Sequence, residues 1–295
     1  MKAIDYAAPQ TLEQAVALLA EGNGRSRVLC GGTDVIVQVR EGRRDLDLLV
    51  DVKKIPEVNA LAYDAKQGLV LGAAVPCAAI CEDRAVAPAY PGLIDAVSLV
   101  GGAQIQSRAS VGGNLCNGSP AADTVPPLIA LGATCRIVGP GGKERMLPVE
   151  QFCTGPGQTV LKPGELLVSF HLPPPAKNSG CHYLRFIPRN EMDIAVVGAA
   201  ASVVLDGAGT TFQTGRVALA AVAPTPLLVT EATDLLSGSP VSEQTIGRVA
   251  EAAQSAARPI TDMRGTAEFR RHLSAVLTRR ALAGALQRAR GESPP

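Results

Sequence analysis

The fold of this chain is decided by the stretch from residue 110 to residue 123, which is Ser-Val-Gly-Gly-Asn-Leu-Cys-Asn-Gly-Ser-Pro-Ala-Ala-Asp. It combines an adjacent glycine pair with two amides, two hydroxyls and one carboxylate. Glycine allows positive φ and a close approach to a bulky ligand, and freed backbone N–H groups can point at an anion. The stretch therefore predicts a ligand-binding loop.

A second glycine segment, Cys30-Gly31-Gly32-Thr33-Asp34, lies earlier in the chain. It follows the apolar pair Val28-Leu29 and precedes Val35, which is typical of a strand that ends in a phosphate-cradling turn. Neither segment matches the Rossmann motif G-x-G-x-x-G or carries the lysine of a P-loop. Together they predict a ligand with a pyrophosphate, bound in another dinucleotide geometry.

FAD is the ligand whose needs these residues match. Its pyrophosphate needs N–H donors, its ribose and ribityl hydroxyls need polar partners, and its ring needs apolar faces. The two glycine pairs and Thr33 can supply N–H groups, while Asn114 and Asp123 can supply side-chain partners. Two structural alternatives stay open at this point, because Asp123 could cap a helix and Asn114 could be a turn residue in the left-handed region.

Composition excludes several other classes of protein. The 295 residues carry 28 basic and 27 acidic side chains, so their net charge of +1 favours neither nucleic acid nor an anionic membrane. Tryptophan is absent, and the three histidines are far apart in sequence, which disfavours a histidine metal centre. Seven cysteines without a C-x-x-C pair predict buried thiols in a reducing, cytoplasmic compartment. No apolar run is long enough for a transmembrane helix or a signal peptide.

Local patterns predict the elements around the two segments. Thr11 and Gln14 form a capping box before a helix that ends at Gly22. The run Gly139-Pro140-Gly141-Gly142 predicts a hairpin between 134–138 and 143–147. The triple proline at 173–175 predicts a domain boundary. Strands at 194–205 and 217–222 and three helices then follow, and we expect the arginines of the last helix, 267–290, to form a solvated face rather than a docking face.

A third segment, from Tyr183 to Val197, places ionisable side chains directly before a core strand. One of its cations could face the electron-rich edge of a reduced flavin. Taken alone, the segment favours surface pairs of Arg185 or Arg189 with Glu191 or Asp193.

In their order and spacing, these segments resemble the FAD-binding medium subunits of the molybdenum hydroxylases, the carbon monoxide dehydrogenase and xanthine dehydrogenase flavoprotein family. The resemblance depends on four stretches and runs from residue 1 to about 286. These stretches are Cys-Gly-Gly-Thr-Asp at 30–34, Gln-Ile-Gln-Ser-Arg-Ala-Ser-Val-Gly-Gly-Asn at 104–114, Ser-Pro-Ala-Ala-Asp at 119–123 and Arg-Asn-Glu-Met-Asp-Ile-Ala at 189–195.

The resemblance implies an α+β fold in two domains. A two-lobed FAD-binding domain of the vanillyl-alcohol-oxidase (PCMH) type would span 1–175, with lobes at about 1–56 and 57–175. An α+β C-terminal domain with an antiparallel sheet and helices would span 177–286, and 287–295 would be a tail.

The resemblance also implies the site residues. The two glycine segments would hold the pyrophosphate, Asp123 would be an acidic FAD contact, Arg185 would place a cation near the flavin, and Val168 would lie beside the ring. No catalytic residue for an organic substrate and no metal ligand is expected in this chain. The expected cofactor-binding residues are Val28, Leu29, Cys30, Gly31, Gly32, Thr33, Asp34, Val35, Ala109, Ser110, Val111, Gly112, Gly113, Asn114, Asp123, Val168 and Arg185.

The implied function is electron transfer through non-covalent FAD, from the [2Fe–2S] clusters of a small partner subunit to NAD, a quinone or another acceptor. A large partner subunit would carry the molybdopterin, in a dimer of heterotrimers. No cysteine-rich insertion lies between 114 and 134, so no cluster is expected in this chain. Two alternatives stay open: a self-contained flavin oxidase of the vanillyl-alcohol-oxidase superfamily, and a scaffold protein that has lost its flavin.

Overall fold

The computed structural model describes residues 3–190 and 192–294. Its N-terminal lobe contains β1 (Asp5–Ala7), α1 (Leu12–Glu21), β2 (Ser26–Leu29), α2 (Val35–Arg40) and β3 (Leu48–Asp51). The strands form a parallel sheet in the order β1-β3-β2. This arrangement places the end of β2, where the first glycine segment begins, beside the end of β3.

Helix α1 begins and ends where its sequence predicts. Thr11 Oγ1 accepts a hydrogen bond from the backbone N–H of Gln14 at 3.3 Å, and Gly22 caps the C-terminus. The helix buries Ala15, Val16 and Leu19 in a small core that it shares with strands of both lobes. The two lobes are therefore packed together at this helix.

The second lobe has a mixed set of strands and short helices, with 3-10 turns at Pro56–Asn59, Pro140–Gly142 and Val149–Gln151. Its strands are β4 (Leu61–Asp64), β5 (Gly68–Gly72), β6 (Thr134–Gly139), β7 (Lys143–Pro148), β8 (Cys153–Gly155), β9 (Gln158–Thr159) and β10 (Leu166–Leu172). Its helices are α3 (Cys77–Glu82), α4 (Val86–Ala89), α5 (Pro91–Val97), α6 (Ala103–Gln106), α7 (Val111–Cys116) and α8 (Val125–Ala130). Five strands form an antiparallel sheet in the order β4-β5-β10-β6-β7, and the hairpin predicted at 139–142 joins β6 to β7.

The C-terminal region is an antiparallel sheet with helices on one side. Its elements are β11 (Ser179–Phe186), β12 (Val197–Leu205), β13 (Phe212–Ala220), β14 (Leu227–Leu228), α9 (Thr230–Leu236), α10 (Glu243–Ala256) and α11 (Ala267–Ala289). The strands pair in chain order, and α11 packs across β11 and β12. The α+β fold class, with an antiparallel C-terminal sheet and helices, is thus confirmed, whereas the domain limits at 175 and 177 stay a prediction.

Strand β11 is an element that the sequence analysis missed. Cys181 and Tyr183 on one of its faces are buried against Ala96 and Ala130 of the second lobe. The other face carries His182, which packs against Gly284 of α11. Because both faces are covered, the strand has no clean alternation of apolar and polar residues.

Two arginines of α11 depart from the predicted solvated face, whereas Arg271, Arg279, Arg280 and Arg290 are exposed as expected. Arg270 is buried, and it donates hydrogen bonds to the carbonyl of Val196 and to Asp262. Arg288 reaches α5 of the second lobe, where it forms a bidentate pair with Asp95 at 2.6 and 2.8 Å. Arginine is well suited to this role because its planar fork matches a carboxylate. The helix therefore helps to dock the C-terminal sheet on the second lobe.

Candidate functional site

A cavity of about 530 Å³ lies between the N-terminal lobe and the second lobe. Both glycine segments contribute to its walls. Twelve of the predicted residues line it, namely Val28, Cys30, Gly31, Gly32, Thr33, Asp34, Val35, Ala109, Ser110, Gly112, Gly113 and Asn114. The volume is within the range of roughly 300–1,000 Å³ that is typical of small-molecule and cofactor sites.

The 30–34 segment directly touches the 104–114 stretch, which is far away in sequence. The Cα of Gly31 lies so close to the backbone of Arg108 that an added Cβ would overlap the Arg108 carbonyl oxygen. Cys30 of the first segment and Ser110 both line the cavity beside this contact. Burial raises the pKa of the Cys30 thiol to about 11. The cavity wall is therefore continuous from one segment to the next.

The glycine pair Gly112-Gly113 does not adopt the positive φ that we expected of a binding loop. Gly32 has a φ of +80°, so its position does favour glycine. Gly112 and Gly113 instead lie in the first turn of α7, where Ser110 caps the helix by accepting from Gly113 N at 3.1 Å. A Cβ on Gly112 would overlap the Ala73 carbonyl oxygen. A Cβ on Gly113 would meet only Ser110 Oγ, at 3.1 Å.

The cavity is also cationic, which sequence reasoning missed. Arg27, Arg44 and Lys162 contribute to its walls. Burial lowers the pKa of the Arg27 guanidinium, and the positive charge of Arg44 lowers it further. Of the acids on the wall, Glu165 is paired with Arg145 at 2.7 Å, and burial raises the pKa of Asp34. This balance suits an anionic ligand such as a diphosphate.

A further wall of the cavity, which the sequence did not predict, is formed by residues from β8 to the start of β10. Thr154, Gly157, Gln158 and the stretch 161–167 face the cavity there. These residues form turns around a two-stranded ribbon, and their sequence has no glycine pair or charge motif. Gly155-Pro156-Gly157 and Pro163-Gly164 signal turns there, but a turn signal alone does not indicate a binding wall.

Asp123 and Arg185 are brought together, but outside the cavity walls. Arg185 Nη1 donates to Asp123 Oδ2 at 2.5 Å, and Tyr183 Oη donates to Asp123 Oδ1 at 2.6 Å. Burial raises the pKa of the Asp123 carboxyl, although Arg185 and Tyr183 act to lower it. Asp123 is therefore not the simple helix cap that we considered, and Arg185 does not form the surface pair that its segment alone favoured.

The remaining predicted residues are found behind the cavity or away from it. Leu29, Val111 and Val168 are buried in the apolar core rather than in the cavity lining. Arg189 is exposed and pairs with the largely buried side chain of Asp193 at 3.6 Å, and Glu191 is outside the described residues. Asn114 belongs to helix α7 and not to a left-handed turn. Its side-chain Oδ1 accepts hydrogen bonds from Thr124 N at 3.3 Å and from Thr124 Oγ1 at 2.7 Å.

The residues of the cavity fit FAD better than they fit a metal or a simple phosphate. A diphosphate would suit the close backbone of the two glycine segments and the three cations of the cavity wall. A flavin ring would suit the apolar side chains of Leu166 and Leu167 in the 161–167 stretch. Among residues 3–190 and 192–294, no group of three or more His, Cys, Asp or Glu side chains could hold a metal ion. Within the same residues, no helix is long and apolar enough to cross a membrane.

Comparison with known proteins supports the same assignment. Residues 2–175 match the model of the FAD-binding domain in molybdopterin dehydrogenase, and residues 182–285 match that of the CO dehydrogenase flavoprotein C-terminal domain. The chain is similar to a xanthine dehydrogenase FAD-binding subunit from Escherichia coli O157:H7, with 32% identity over 97% of each chain. A carbon monoxide dehydrogenase medium chain from Afipia carboxidovorans is 30% identical over 97% of this chain and 98% of its own length.

Solved structures are similar as well. A carbon monoxide dehydrogenase from Hydrogenophaga pseudoflava matches with a TM-score of 0.92 and 28% identity, over 97% of this chain and 98% of that one. A quinoline 2-oxidoreductase from Pseudomonas putida 86 matches with a TM-score of 0.88 and 28% identity, over 98% and 99%.

The fold and the matches define an oxidoreductase flavoprotein with FAD as its cofactor. The chain belongs to the family of FAD-binding subunits of the molybdenum hydroxylases, as predicted. In the complexes of this family, molybdopterin and the iron–sulfur clusters are found in other subunits.

Proposed function

We propose that this chain is the electron-transfer flavoprotein of a molybdenum hydroxylase complex. When bound, FAD would accept electrons from the [2Fe–2S] clusters of a small partner subunit and deliver them to NAD, a quinone or another external acceptor. A large partner subunit would hold molybdopterin and oxidise the organic substrate, in a dimer of heterotrimers in the cytoplasm. The observation that carries the proposal is that the 30–34 segment touches the 104–114 stretch and that both line one cavity.

The role of this chain's own residues is to bind and orient the cofactor. Gly31, Gly32, Gly112 and Gly113 would let the diphosphate approach the backbone closely. The cations on the cavity wall would offset its charge. We further propose that Asp123, Val168 and Arg185 influence the flavin from behind this wall.

A subunit role is favoured over a self-contained oxidase by the extent of the matches. This chain and the E. coli relative, which is named as a subunit, cover 97% of each other, so the similarity extends along almost the whole of a protein named as a subunit. Non-covalent binding predicts that acid precipitation releases all the flavin into the supernatant. Yellow colour retained in the pellet would favour the oxidase alternative.

The test uses the complex made with a Gly113→Val chain. Gly113 lines the cavity, and a Cβ there meets only one protein atom, so the valine would occupy ligand space without displacing backbone. We expect this variant to lose FAD and to keep the thermal stability of the flavin-free wild type. Gly207→Val is the matched control, because a Cβ at Gly207 meets nothing within 4 Å and the residue does not line the cavity.

Electron flow is then followed after reduction of each complex with dithionite. On mixing with NAD or a quinone, the wild-type and Gly207→Val complexes should reoxidise both flavin and clusters, whereas the clusters of the Gly113→Val complex should stay reduced. Equally fast reoxidation of the clusters in the flavin-free complex would contradict the proposed route. So would failure of every acceptor to oxidise the wild-type complex.

A further inference from the structure

Tyr183 is a buried residue of the C-terminal sheet that contacts two carboxylates of the second lobe, those of Asp95 and Asp123. Its side chain is 1% exposed. Its backbone N–H donates to Asp95 Oδ2 at 3.1 Å, and its hydroxyl donates to Asp123 Oδ1 at 2.6 Å. The residue is therefore fixed at both ends, and together with Arg185 of the same strand it sets the position of Asp123 relative to β11.

The position of the hydroxyl depends on a glycine in the next strand. A Cβ on Gly198 of β12 would lie 2.7 Å from Tyr183 Oη and 3.3 Å from its ring. Such a distance is too short for a carbon and a hydroxyl oxygen, so a larger residue at position 198 would displace the hydroxyl. The absence of a side chain at Gly198 thus gives the tyrosine its path to Asp123.

A short chain of contacts leads from this hydroxyl to the cavity. Asp123 is followed by Thr124, which is fully buried at the start of α8. The N–H and hydroxyl of Thr124 both donate to Asn114 Oδ1, and Asn114 lines the cavity. A shift of Asp123 would therefore move the two donors that hold Asn114 in the wall.

We propose that Tyr183 is a positioning residue for FAD, which fixes the Asn114 wall of the cavity through Asp123 and Thr124. The docking of the C-terminal sheet thereby sets how tightly the chain retains its cofactor. This inference rests on the proposal that the cavity holds FAD. Tyr183 itself does not line the cavity, so its effect is indirect.

The first test is Tyr183→Phe in the full chain loaded with FAD. Removing the hydroxyl leaves the buried Asp123 with one donor fewer, and we expect FAD to dissociate about 3 to 30 times faster. The rise in flavin fluorescence after dilution measures the rate. Tyr90→Phe is the matched control, because Tyr90 is equally buried and its hydroxyl donates to the Pro173 carbonyl at 2.9 Å, away from the cavity. It should lower thermal stability but leave the dissociation rate within about twofold of wild type.

The second test perturbs the hydroxyl without removing it. Gly198→Ala should also accelerate FAD dissociation, because the new methyl group displaces Tyr183 Oη. In the Tyr183→Phe background the same substitution should add less than about twofold, since the atom that it displaces is gone. Additive effects of the two substitutions would overturn the proposal.

The outcomes also separate this inference from the cavity proposal. If Tyr183→Phe releases FAD no faster than Tyr90→Phe, Tyr183 is not a positioning residue, while loss of FAD in Gly113→Val would leave the cavity assignment intact. If Gly113→Val retains FAD with wild-type affinity, the cavity assignment itself fails. Faster release from both Tyr183→Phe and Gly198→Ala, with no such change in Tyr90→Phe, is the result that we expect.

Discussion

Asp95 and Asp123 lie at the same interface between the second lobe and the C-terminal sheet, yet their pKa values shift in opposite directions. Both side chains are largely buried, at 18% and 12% exposed. Burial acts to raise the pKa of Asp95, but hydrogen bonds from Arg288, His182 and Tyr183 N lower it below its usual value. The pKa of Asp123 is raised by its burial, in spite of Arg185 and Tyr183.

Asp123 is the more buried of the two residues, and it also has fewer hydrogen-bond donors. Asp95 accepts four hydrogen bonds, two of them from the planar fork of Arg288. Asp123 accepts one from Arg185 and one from Tyr183. A buried charge is favourable only when enough hydrogen bonds replace its lost hydration. Asp95 is therefore suited to holding the interface together, whereas Asp123 retains acceptor capacity close to the cofactor cavity.

The largest expected effect comes from Asp95→Asn. The amide cannot accept all four hydrogen bonds and leaves the Arg288 charge without its partner, so we expect the free energy of unfolding to fall by about 2–4 kcal/mol. Urea denaturation at neutral pH measures the change. Glu251→Gln on the exposed side of α10 is the control and should be neutral. A loss below about 0.5 kcal/mol would mean that Asp95 does not stabilise the interface.

Asp123→Asn should cost less stability, about 1–2 kcal/mol, because burial already disfavours the charge of Asp123. The Asn oxygen can still accept the single hydrogen bond from the buried Arg185, which loses only the charge of its partner. Its larger consequence should be faster FAD release, because the anchor of Thr124 and Asn114 is altered. Thermal denaturation and flavin retention are measured on the same samples. If Asp123→Asn proves more destabilising than Asp95→Asn, the ranking drawn from donor number is wrong.

The pH dependence sharpens the same contrast. A carboxyl whose folded pKa is lowered stabilises the fold above its unfolded pKa of about 3.9, and this contribution is lost as the pH falls through the folded pKa. Asp95→Asn should therefore flatten the loss of stability below about pH 4. The raised pKa of Asp123 has the opposite sign, since its contribution is present below about pH 4 and is lost as the pH rises through the folded pKa.

Free energies of unfolding between about pH 3 and pH 6 check both signs, with each variant compared with the wild type. In the wild type, Asp123 should make the free energy of unfolding decrease as the pH rises, and Asp123→Asn should remove this decrease. Identical pH profiles for the two variants would show that the carboxylates do not differ as proposed.

The smallest expected effect belongs to His182→Leu. His182 Nδ1 provides one of the four hydrogen bonds of Asp95, at 2.8 Å, and the three others remain. We expect a loss of about 0.5–1 kcal/mol in the free energy of unfolding, without any change in FAD content. A flavin-depleted His182→Leu chain would show that the Asp95 region also reaches the cavity.

Much of the fold was predictable because local signals and tertiary structure agree. The Thr11 cap, the hairpin at 139–142 and the turn at Gly32 all depend on residues that favour one local conformation. Strand β11 was missed because both of its faces are covered, which removes the periodic pattern. Local signals also misled us at α7, where a glycine pair suggested a loop although Ser110 caps a helix.

The site was predictable to the extent that it depends on backbone geometry. Twelve predicted residues line the cavity, but its cations and its far wall come from elements with no sequence motif of their own. The partners of Asp123 could not be foreseen either. Tyr183 and Arg185 come from another part of the chain, and only the packing of β11 on α5 and α8 brings them to Asp123.

The contact between Gly31 and Arg108 has a consequence for how this chain can vary. Because the two backbones touch, a residue inserted beside either one would push its neighbour out of register, and the change would have to be matched on the other side. The two glycine segments should therefore be exchangeable between relatives only as a set. A chimera that receives both from one donor should keep its flavin, whereas a chimera with only one should lose it.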